Sequence, residues 1–360
     1  MKHWHETAAI LDRVTHLATA GVRAAIATVV RISGSAYRRP GAKFLVAEDG
    51  STSGGVSGGC LETDVRAIAL EVARDGAPRL LHYDTGSDEE TLWGLGLGCE
   101  GAVDVFVQPA GGELVSGAGL RVRESIGAGA PLAVCTVVEG DGAGRSVVLA
   151  GGKLSGTTGA PEVDRAAAER AAQLLETGES SLDQLAGRSV FLDVLRPPPA
   201  LVVFGAGDDA RPLAALAAQA GFEVTIVDHR RAFLTPERFP PPARLLLRRA
   251  GDGLGGLELG RRHFAVVQTH ALQHDRDWLS ALLGQPLAYL GLLGPRTRKD
   301  QILRQLGAAE PEKLFAPVGL DLGADGPEQV AVSIVAEMLA VNAGREPGHL
   351  RAKQGGIHEG

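Results

Sequence analysis

The sequence predicts an α/β protein in two parts: an N-terminal mixed α+β domain and a C-terminal doubly wound parallel sheet. Three observations carry that prediction. The first half strings short apolar runs together through hairpin turns, with few long helical patterns. Past Pro197-Pro198-Pro199 the pattern becomes a regular alternation of short apolar runs and helical stretches, the signature of parallel strands joined by crossover helices. The first run after the prolines ends in Gly205-Ala206-Gly207, the turn needed to carry a strand directly into a helix.

Taken in order, residues 2–20 read as an amphipathic helix with Trp4, Ala8, Leu11, Val14 and Ala18 on one face and Gly21 as its stop. Its His, Glu, Asp and Arg residues interrupt the apolar positions and exclude a signal peptide. RAAIATVVRI (23–32) is a buried strand, and KFLVAEDGSTSGGV forms a hairpin around Asp49-Gly50. In CLETDVRAIALEVARDG, Val65, Ile68, Ala69 and Val72 recur at helical spacing and Gly76 ends the helix. RLLHYD, AVDVFVQP, PLAVCTVVEG and RSVVLAGG supply further strands. EVDRAAAERAAQLLETG is an Ala-rich helix, and RSVFLDVLRP closes the half as a strand. The expected boundaries are 1–190 for this domain, 191–199 for a Pro-rich linker, 200–344 for the second domain and 345–360 for a disordered tail. No internal repeat of fixed period is visible.

In the second domain ALVVFGAG is strand and turn, Asp208 to Gly221 a helix, and FEVTIVDHR a strand. ARLLLRRA and HFAVVQTH are two more strands, the latter followed by a helix to Leu283. LAYLGLLGP leads into the helix RTRKDQILRQLG, and PEQVAVSIVAEMLAVNAG is a final helix with Val330, Ile334, Val335 and Met338 inward. Gly205, Gly207 and Ala210 match the G-x-G-x-x-[GA] fingerprint between strand and helix, and Asp228 ends the next strand, so the domain reads as Rossmann-like. There the backbone at Gly205 and Gly207 would approach a phosphate and Asp228 a ribose hydroxyl, which leaves an NAD(P) ligand as one reading. Asp208 and Asp209 in the first helical turn compete with an incoming anion for the same amides. His270 ends the fourth strand and Arg296 follows the fifth, so both face the crevice beyond the strand ends, Arg296 as an anion contact.

Composition narrows the function. With a net charge of −7 the chain is not a general nucleic-acid binder, and with 4% aromatics it lacks stacking platforms for single strands. No apolar run is long enough to span a membrane. Three cysteines fit a reducing cytoplasm and no disulfide framework. Cys135 lies in a strand pattern and reads as a small buried hydrophobe. Cys60 differs: it follows Gly58-Gly59 at a helix start, where the helix dipole favours a thiolate, with Arg38, Arg39 and Lys43 upstream to favour it further. Cys99, in GLGLGCEGAV, also has glycine neighbours. Thiolates of this kind bind soft metals or carry sulfur. No Cys-x-x-Cys or paired-His spacing accompanies them, which excludes a zinc site.

ATVVRISGSAYRRPGAKFLV, GGVSGGCLETDV and GLGLGCEGAVDVFVQP resemble the N-terminal half of the XdhC/CoxI family. LVVFGAGDDARPLAALAAQAGFEVTIVDHR, VVQTHALQHD, YLGLLGPRTRK and PVGLDLGADGPEQVAVSIVAEMLA resemble that family's C-terminal Rossmann domain, in the same order. The sequence departs from the family pattern at Asp208, where a histidine is frequent, and at Pro295, where a small hydroxyl residue is frequent. The resemblance implies a cytoplasmic maturation factor for molybdenum hydroxylases such as xanthine and CO dehydrogenase, a chaperone and not the catalyst of substrate oxidation. It implies molybdenum cofactor (molybdopterin) as ligand, with Cys60 in sulfur transfer or, with Cys99, at molybdenum. Arg38, Arg39, Lys43 or the loop Gly205 to Gly207 would then hold phosphate. A molybdenum hydroxylase apoenzyme and a cysteine desulfurase are the implied partners, and a homo-oligomer stays open. The rival reading from the residues is an NAD(P)-dependent oxidoreductase or a nucleotide-sensing module.

Overall fold

A computed structural model describes residues 2–34, 38–59, 61–84 and 101–353. The chain forms two compact units, Met1–Pro197 and Pro198–Gln354. Each is considered by itself.

The first unit holds two five-stranded antiparallel sheets. α1 (Lys2–Thr19) precedes β1 (Ala24–Gly34), β2 (Lys43–Ala47), β3 (Thr52–Gly54), α2 (Glu62–Asp75), β4 (Arg79–Asp84) and β5 (Gly101–Pro109). The strand order is β3-β2-β1-β5-β4. α3 (Glu113–Ser116) and α4 (Ala118–Gly127) follow, then β6 (Leu132–Val137), β7 (Ser146–Ala150), β8 (Lys153–Gly156), α5 (Pro161–Thr177), β9 (Ser181–Leu185) and β10 (Arg188–Leu195), in the order β8-β7-β6-β10-β9. The two sheets thus repeat one topology, each with its helix between the third and fourth strands. The registers coincide as well: Thr28 pairs with Lys43 and Thr136 with Ser146, while Phe44 pairs with Gly54 and Val147 with Gly156. Both glycines have positive φ, and a Cβ would lie 2.2 Å from the Lys43 carbonyl at Gly54 and 2.7 Å from that of Ser146 at Gly156. This duplication has no sequence period because the segments between equivalent strands differ in length and composition.

Period-two alternation splits each sheet into two apolar faces. Ala25, Ala27, Val29, Val105 and Val107 pack on Val65, Ala69 and Val72 of α2. Cys135, Val137, Val190 and Leu192 pack on Val163, Ala167 and Ala171 of α5. The opposite faces meet through Val30 and Phe106 of one sheet and Val138 and Phe191 of the other. On α1 the buried positions are Trp4, Thr7, Ile10, Leu11, Val14 and Leu17; Ala18, expected inward, is exposed. The last strand runs to Leu195 with Val190–Leu195 buried, so the chain stays inside this unit beyond the 190 boundary and through most of the expected linker.

The second unit is a six-stranded parallel sheet. β11 (Ala200–Phe204), α6 (Ala210–Gln219), β12 (Glu223–Asp228), β13 (Arg244–Leu247), β14 (His263–Val267), α7 (Leu272–Leu282), β15 (Tyr289–Leu292), α8 (Arg296–Leu306), β16 (Leu314–Phe315) and α9 (Gly326–Asn342) follow in order. The sheet order β13-β12-β11-β14-β15-β16 is the Rossmann arrangement. Leu201 and Val203 face α6 and α9, whereas Val202 and Phe204 face α7 and α8. β16 is two residues long, too short to be seen as an apolar run. The order reverses between β11 and β14, which opens a crevice beyond their carboxyl ends.

Candidate functional site

In the first unit, residues 54–61 carry the chain from the edge of the sheet into α2. Glu62, in the first helical turn, accepts from the amides of Val56 (3.2 Å) and Ser57 (2.8 Å) and from the Ser57 hydroxyl. The Ser57 Oγ in turn accepts from the amides of Gly59 (3.0 Å) and Leu61 (3.1 Å), on either side of position 60. Burial opposes the Glu62 charge, but these hydrogen bonds more than offset it and hold the carboxyl below its ordinary range. The duplicate half uses the same device: Asp164 accepts from the amide and hydroxyl of Thr158 and from the hydroxyl of Thr157. What sets the first copy apart is its sequence there, Gly58-Gly59-Cys60 where the second copy has Ala160-Pro161-Glu162. Cys60 and Cys99 themselves lie outside the described residues.

Two of the three upstream cations are committed elsewhere. Arg38 is paired with Glu6 of α1 at 2.5 Å. Lys43 is buried; its ammonium lies 2.5 Å from Asp193 of β10 and donates to the Gly41 carbonyl at 2.9 Å. A buried ammonium needs a counter-ion, and the facing sheet provides it. Arg38 and Lys43, expected to favour a Cys60 thiolate, thus each have a carboxylate partner of their own. Arg39 alone of the three is exposed. The first turn of α2 carries Glu62 and Asp64, with the Tyr83 hydroxyl donating to Asp64 at 2.6 Å. One cluster escaped the sequence reading: buried Asp104 on β5 accepts from Arg31 of β1 (2.8 Å) and faces His82 Nδ1 of β4 at 2.5 Å. Three strands contribute one residue each, so no local spacing announces it.

In the second unit, Gly205 turns the chain at φ +119, and a Cβ there would lie 2.5 Å from the Gln268 carbonyl. Gly207 is looser, with only the His270 ring 3.8 Å from a would-be Cβ. His270 takes a left-handed φ of 60, rare without glycine, and its Nε2 sits 3.0 Å from Asp209. Asp208 is paired with Arg238, which also donates to the Ala206 carbonyl at 3.1 Å. Asp208 is therefore matched by a guanidinium and Asp209 by an imidazole nitrogen, partners the sequence reading missed. Asp228 is buried and accepts from the Ala206 amide (2.7 Å) and from the amide, Nε and Nη2 of Arg230 (2.8, 3.0 and 2.8 Å). Burial opposes its charge, yet the Arg230 guanidinium and the two amides prevail and push its pKa down to about 2. It clamps the glycine loop where the sequence reading had it offering an oxygen to ribose. Arg296 is exposed at the first position of α8. Behind it Arg298 pairs with fully buried Asp275 (2.6 Å), which also accepts from the Thr269 hydroxyl (2.6 Å). The structure thus brings Gly205, Gly207 and His270 to one crevice. His274 is turned to His229, their rings 4.9 Å apart, and no cluster of metal-ligating side chains occurs among the described residues.

Residues 201–338 match the XdhC Rossmann domain and residues 17–84 match the XdhC and CoxI family. The chain is 34% identical over 316 residues to a probable xanthine dehydrogenase subunit of Bacillus subtilis (strain 168), a match that covers 88% of this chain and 92% of that protein. It is 27% identical over 359 residues to the molybdenum cofactor insertion chaperone PaoD of Escherichia coli (strain K12), covering 96% of this chain and 94% of the relative. A solved structure of a xanthine dehydrogenase from Bacillus halodurans matches with a TM-score of 0.76 at 28% identity, over 93% of this chain and 96% of that one.

Proposed function

Because this chain belongs to the XdhC and CoxI family, we propose that it binds molybdenum cofactor, supports its sulfuration and delivers it to a molybdenum hydroxylase such as xanthine or CO dehydrogenase. The observation that carries the reading is the likeness, along nearly the whole chain, to a molybdenum cofactor insertion chaperone. The residues at the start of α2 fit such a ligand. Among the described residues nothing lies within 4 Å of a would-be Cβ at Gly59, and the cysteine it precedes in sequence is of the donor type that soft metals take. In this reading Cys60 and Cys99 offer thiolates, and exposed Arg39 offers a donor to the cofactor's phosphate. Bound cofactor would supply the metal centre that the target enzyme uses for hydroxylation. The chain's own part is to hold it, orient it and shield it from water. Ser57 and Glu62 fix the backbone at Gly59 and at Leu61. A molybdenum hydroxylase apoenzyme and a cysteine desulfurase are the proposed partners. No described helix is long and apolar enough to cross a membrane; the cytoplasmic location is proposed from the family reading. The NAD(P)-dependent oxidoreductase reading loses its main support, since both oxygens of Asp228 are committed.

The test is cofactor retention. The protein is purified under argon from cells that make the cofactor, and molybdenum and pterin are measured in the same sample. Wild type and Cys135→Ala should retain both, and Cys60→Ala should lose most of them while keeping its far-UV spectrum. Equal retention by Cys60→Ala would remove the thiol from the site. No retention by wild type would remove the reading itself.

A further inference from the structure

Arg39 sits on a tight turn. Its carbonyl accepts from the Ala42 amide at 3.0 Å, with Pro40 and Gly41 between them and Gly41 at φ +93, the Pro-Gly arrangement of a type II turn. The Gly41 amide donates to the Val29 carbonyl (2.8 Å) and the Val29 amide to the Ala42 carbonyl (2.9 Å), which ties the turn to β1. The duplicate half builds the same turn. The Arg145 amide donates to the Gly142 carbonyl (2.9 Å), that of Gly144 to Val137 (2.9 Å) and that of Val137 to Arg145 (3.0 Å), with Gly144 at φ +85. There Gly142 stands in the place of Arg39, and fully exposed Asp141 in the place of Arg38. The turn therefore forms without a buried ion pair in front of it. In the first copy the Arg38 side chain is 12% exposed and that of Glu6 16%, and both Glu6 oxygens accept from Arg38 Nη2, at 2.7 and 2.5 Å. The same carboxylate lies against the segment that leads to α2: a Cβ at Gly54 would come within 3.1 Å of Glu6 Oε1. Glu6 thus adjoins both pieces of chain that carry the proposed ligand contacts. Arg39 itself is exposed and makes no ion pair among the described residues.

We propose that Glu6 is a positioning residue of the cofactor site: it holds the Arg39 turn and residues 54–59 at a fixed separation, so that one ligand meets the guanidinium and the start of α2 together. The inference rests on the cofactor reading above. A largely buried ion pair adds little net stability over apolar residues of like volume, so stability alone does not call for it. The duplicate turn, which does without one, agrees. What the pair supplies is geometry. An arginine on a loosely held turn has to be ordered by its ligand, at a cost in affinity. Here the turn is pinned on one side by Glu6 and on another by Lys43, which donates to the Gly41 carbonyl at 2.9 Å. Glu6 neutralises Arg38 and Asp193 neutralises Lys43, which leaves Arg39 as the cation of this turn that can meet an anionic ligand group.

Binding of molybdenum cofactor to the full chain decides it, followed under argon by equilibrium gel filtration with molybdenum and pterin counted in each fraction. Arg39→Ala should weaken binding about tenfold, the loss of one charge-assisted contact, and Glu6→Gln by a similar factor. The double variant should bind no more weakly than Arg39→Ala alone, because a fixed separation is of no use once the guanidinium is gone. A purely structural role would instead give independent losses, about a hundredfold together, and that result would overturn the proposal. So would wild-type affinity in Arg39→Ala. Arg38→Gln cuts the same pair from the side of the turn. It should repeat the loss and its non-additivity with Arg39→Ala, and it decides the matter should Glu6→Gln lose its far-UV spectrum. Wild-type chain that binds no cofactor would overturn the cofactor reading and this inference with it. Wild-type chain that binds, with Glu6→Gln binding equally well, would overturn this inference alone.

Discussion

Lys43 separates a structural role from a ligand-binding one. The sequence places it beside Cys60 as a cation, while the structure buries it against Asp193 of the facing sheet. Replacing it with Met keeps most of the side-chain volume and leaves Asp193 buried with weak company, chiefly the Ser180 hydroxyl at 3.5 Å. Removing one partner of a buried pair costs about 3–5 kcal/mol. A cavity of about 60 Å³ adjoins the pair; most of its lining is apolar, but Thr28, Gln108, Thr136 and Ser146 give it the polar partners that a water beside Asp193 would need. That places the expected loss at the lower end, about 3 kcal/mol. With a urea dependence of about 2 kcal/mol per molar, the midpoint should fall by about 1.5 M. The chain has two units, so one global transition is not the right observable. Hydrogen exchange read on peptides from β2 and β10 against urea isolates the first unit. Lys43→Met combined with Asp193→Leu should recover most of the loss, since an apolar pair needs no counter-ion. A single variant with an unchanged midpoint but lost cofactor retention would refute this reasoning and return Lys43 to the ligand.

Three further outcomes are expected. Asp228 has its carboxyl pushed from 3.8 to about 2, so it stabilises the second unit above pH 4, and that contribution, about 2 kcal/mol, disappears as pH falls toward 2. Acid unfolding of Arg230→Ala followed by circular dichroism should lose this dependence, and a profile identical to wild type would exclude Arg230 as its cause. Gly205→Ala forces a Cβ to 2.5 Å from the Gln268 carbonyl at a left-handed φ and should cost about 2–4 kcal/mol, whereas Gly207→Ala should cost under about 1 kcal/mol; thermal melts showing equal losses would contradict the loop geometry. Burial pushes the Cys135 thiol up to about 12, so iodoacetamide at pH 8 should leave it unmodified in the native protein, and rapid labelling seen by mass spectrometry would show that β6 opens.

How much the sequence disclosed follows from the range of the interactions involved. The parallel sheet was readable because its strands are continuous apolar runs and Gly205-Ala206-Gly207 marks the turn between the first strand and its helix. The two N-terminal sheets were readable strand by strand, yet their duplication was not: it lives in pairing registers such as Phe44 with Gly54 and Val147 with Gly156. α4 went unseen, with Ala118, Gly119 and Val122 as its buried residues and Arg, Glu and Ser at much of the rest. The candidate sites show the same limit. Cys60 stands out through its neighbours in sequence, but the partners that decide what Lys43 and Arg38 do are 150 and 32 residues away. Asp228 was legible as the residue ending the second strand. That Arg230, two residues on, would occupy it was not, because the same sequence could also turn Arg230 outward.

The most direct test of the maturation role is a transfer assay. Protein loaded with molybdenum cofactor is mixed under argon with a purified molybdenum hydroxylase that lacks it, and the hydroxylase turnover is followed. Wild-type protein should restore activity beyond what the same amount of free cofactor gives, and Cys60→Ala should restore no more than free cofactor does. A hydroxylase activated equally well with or without this chain would contradict the account.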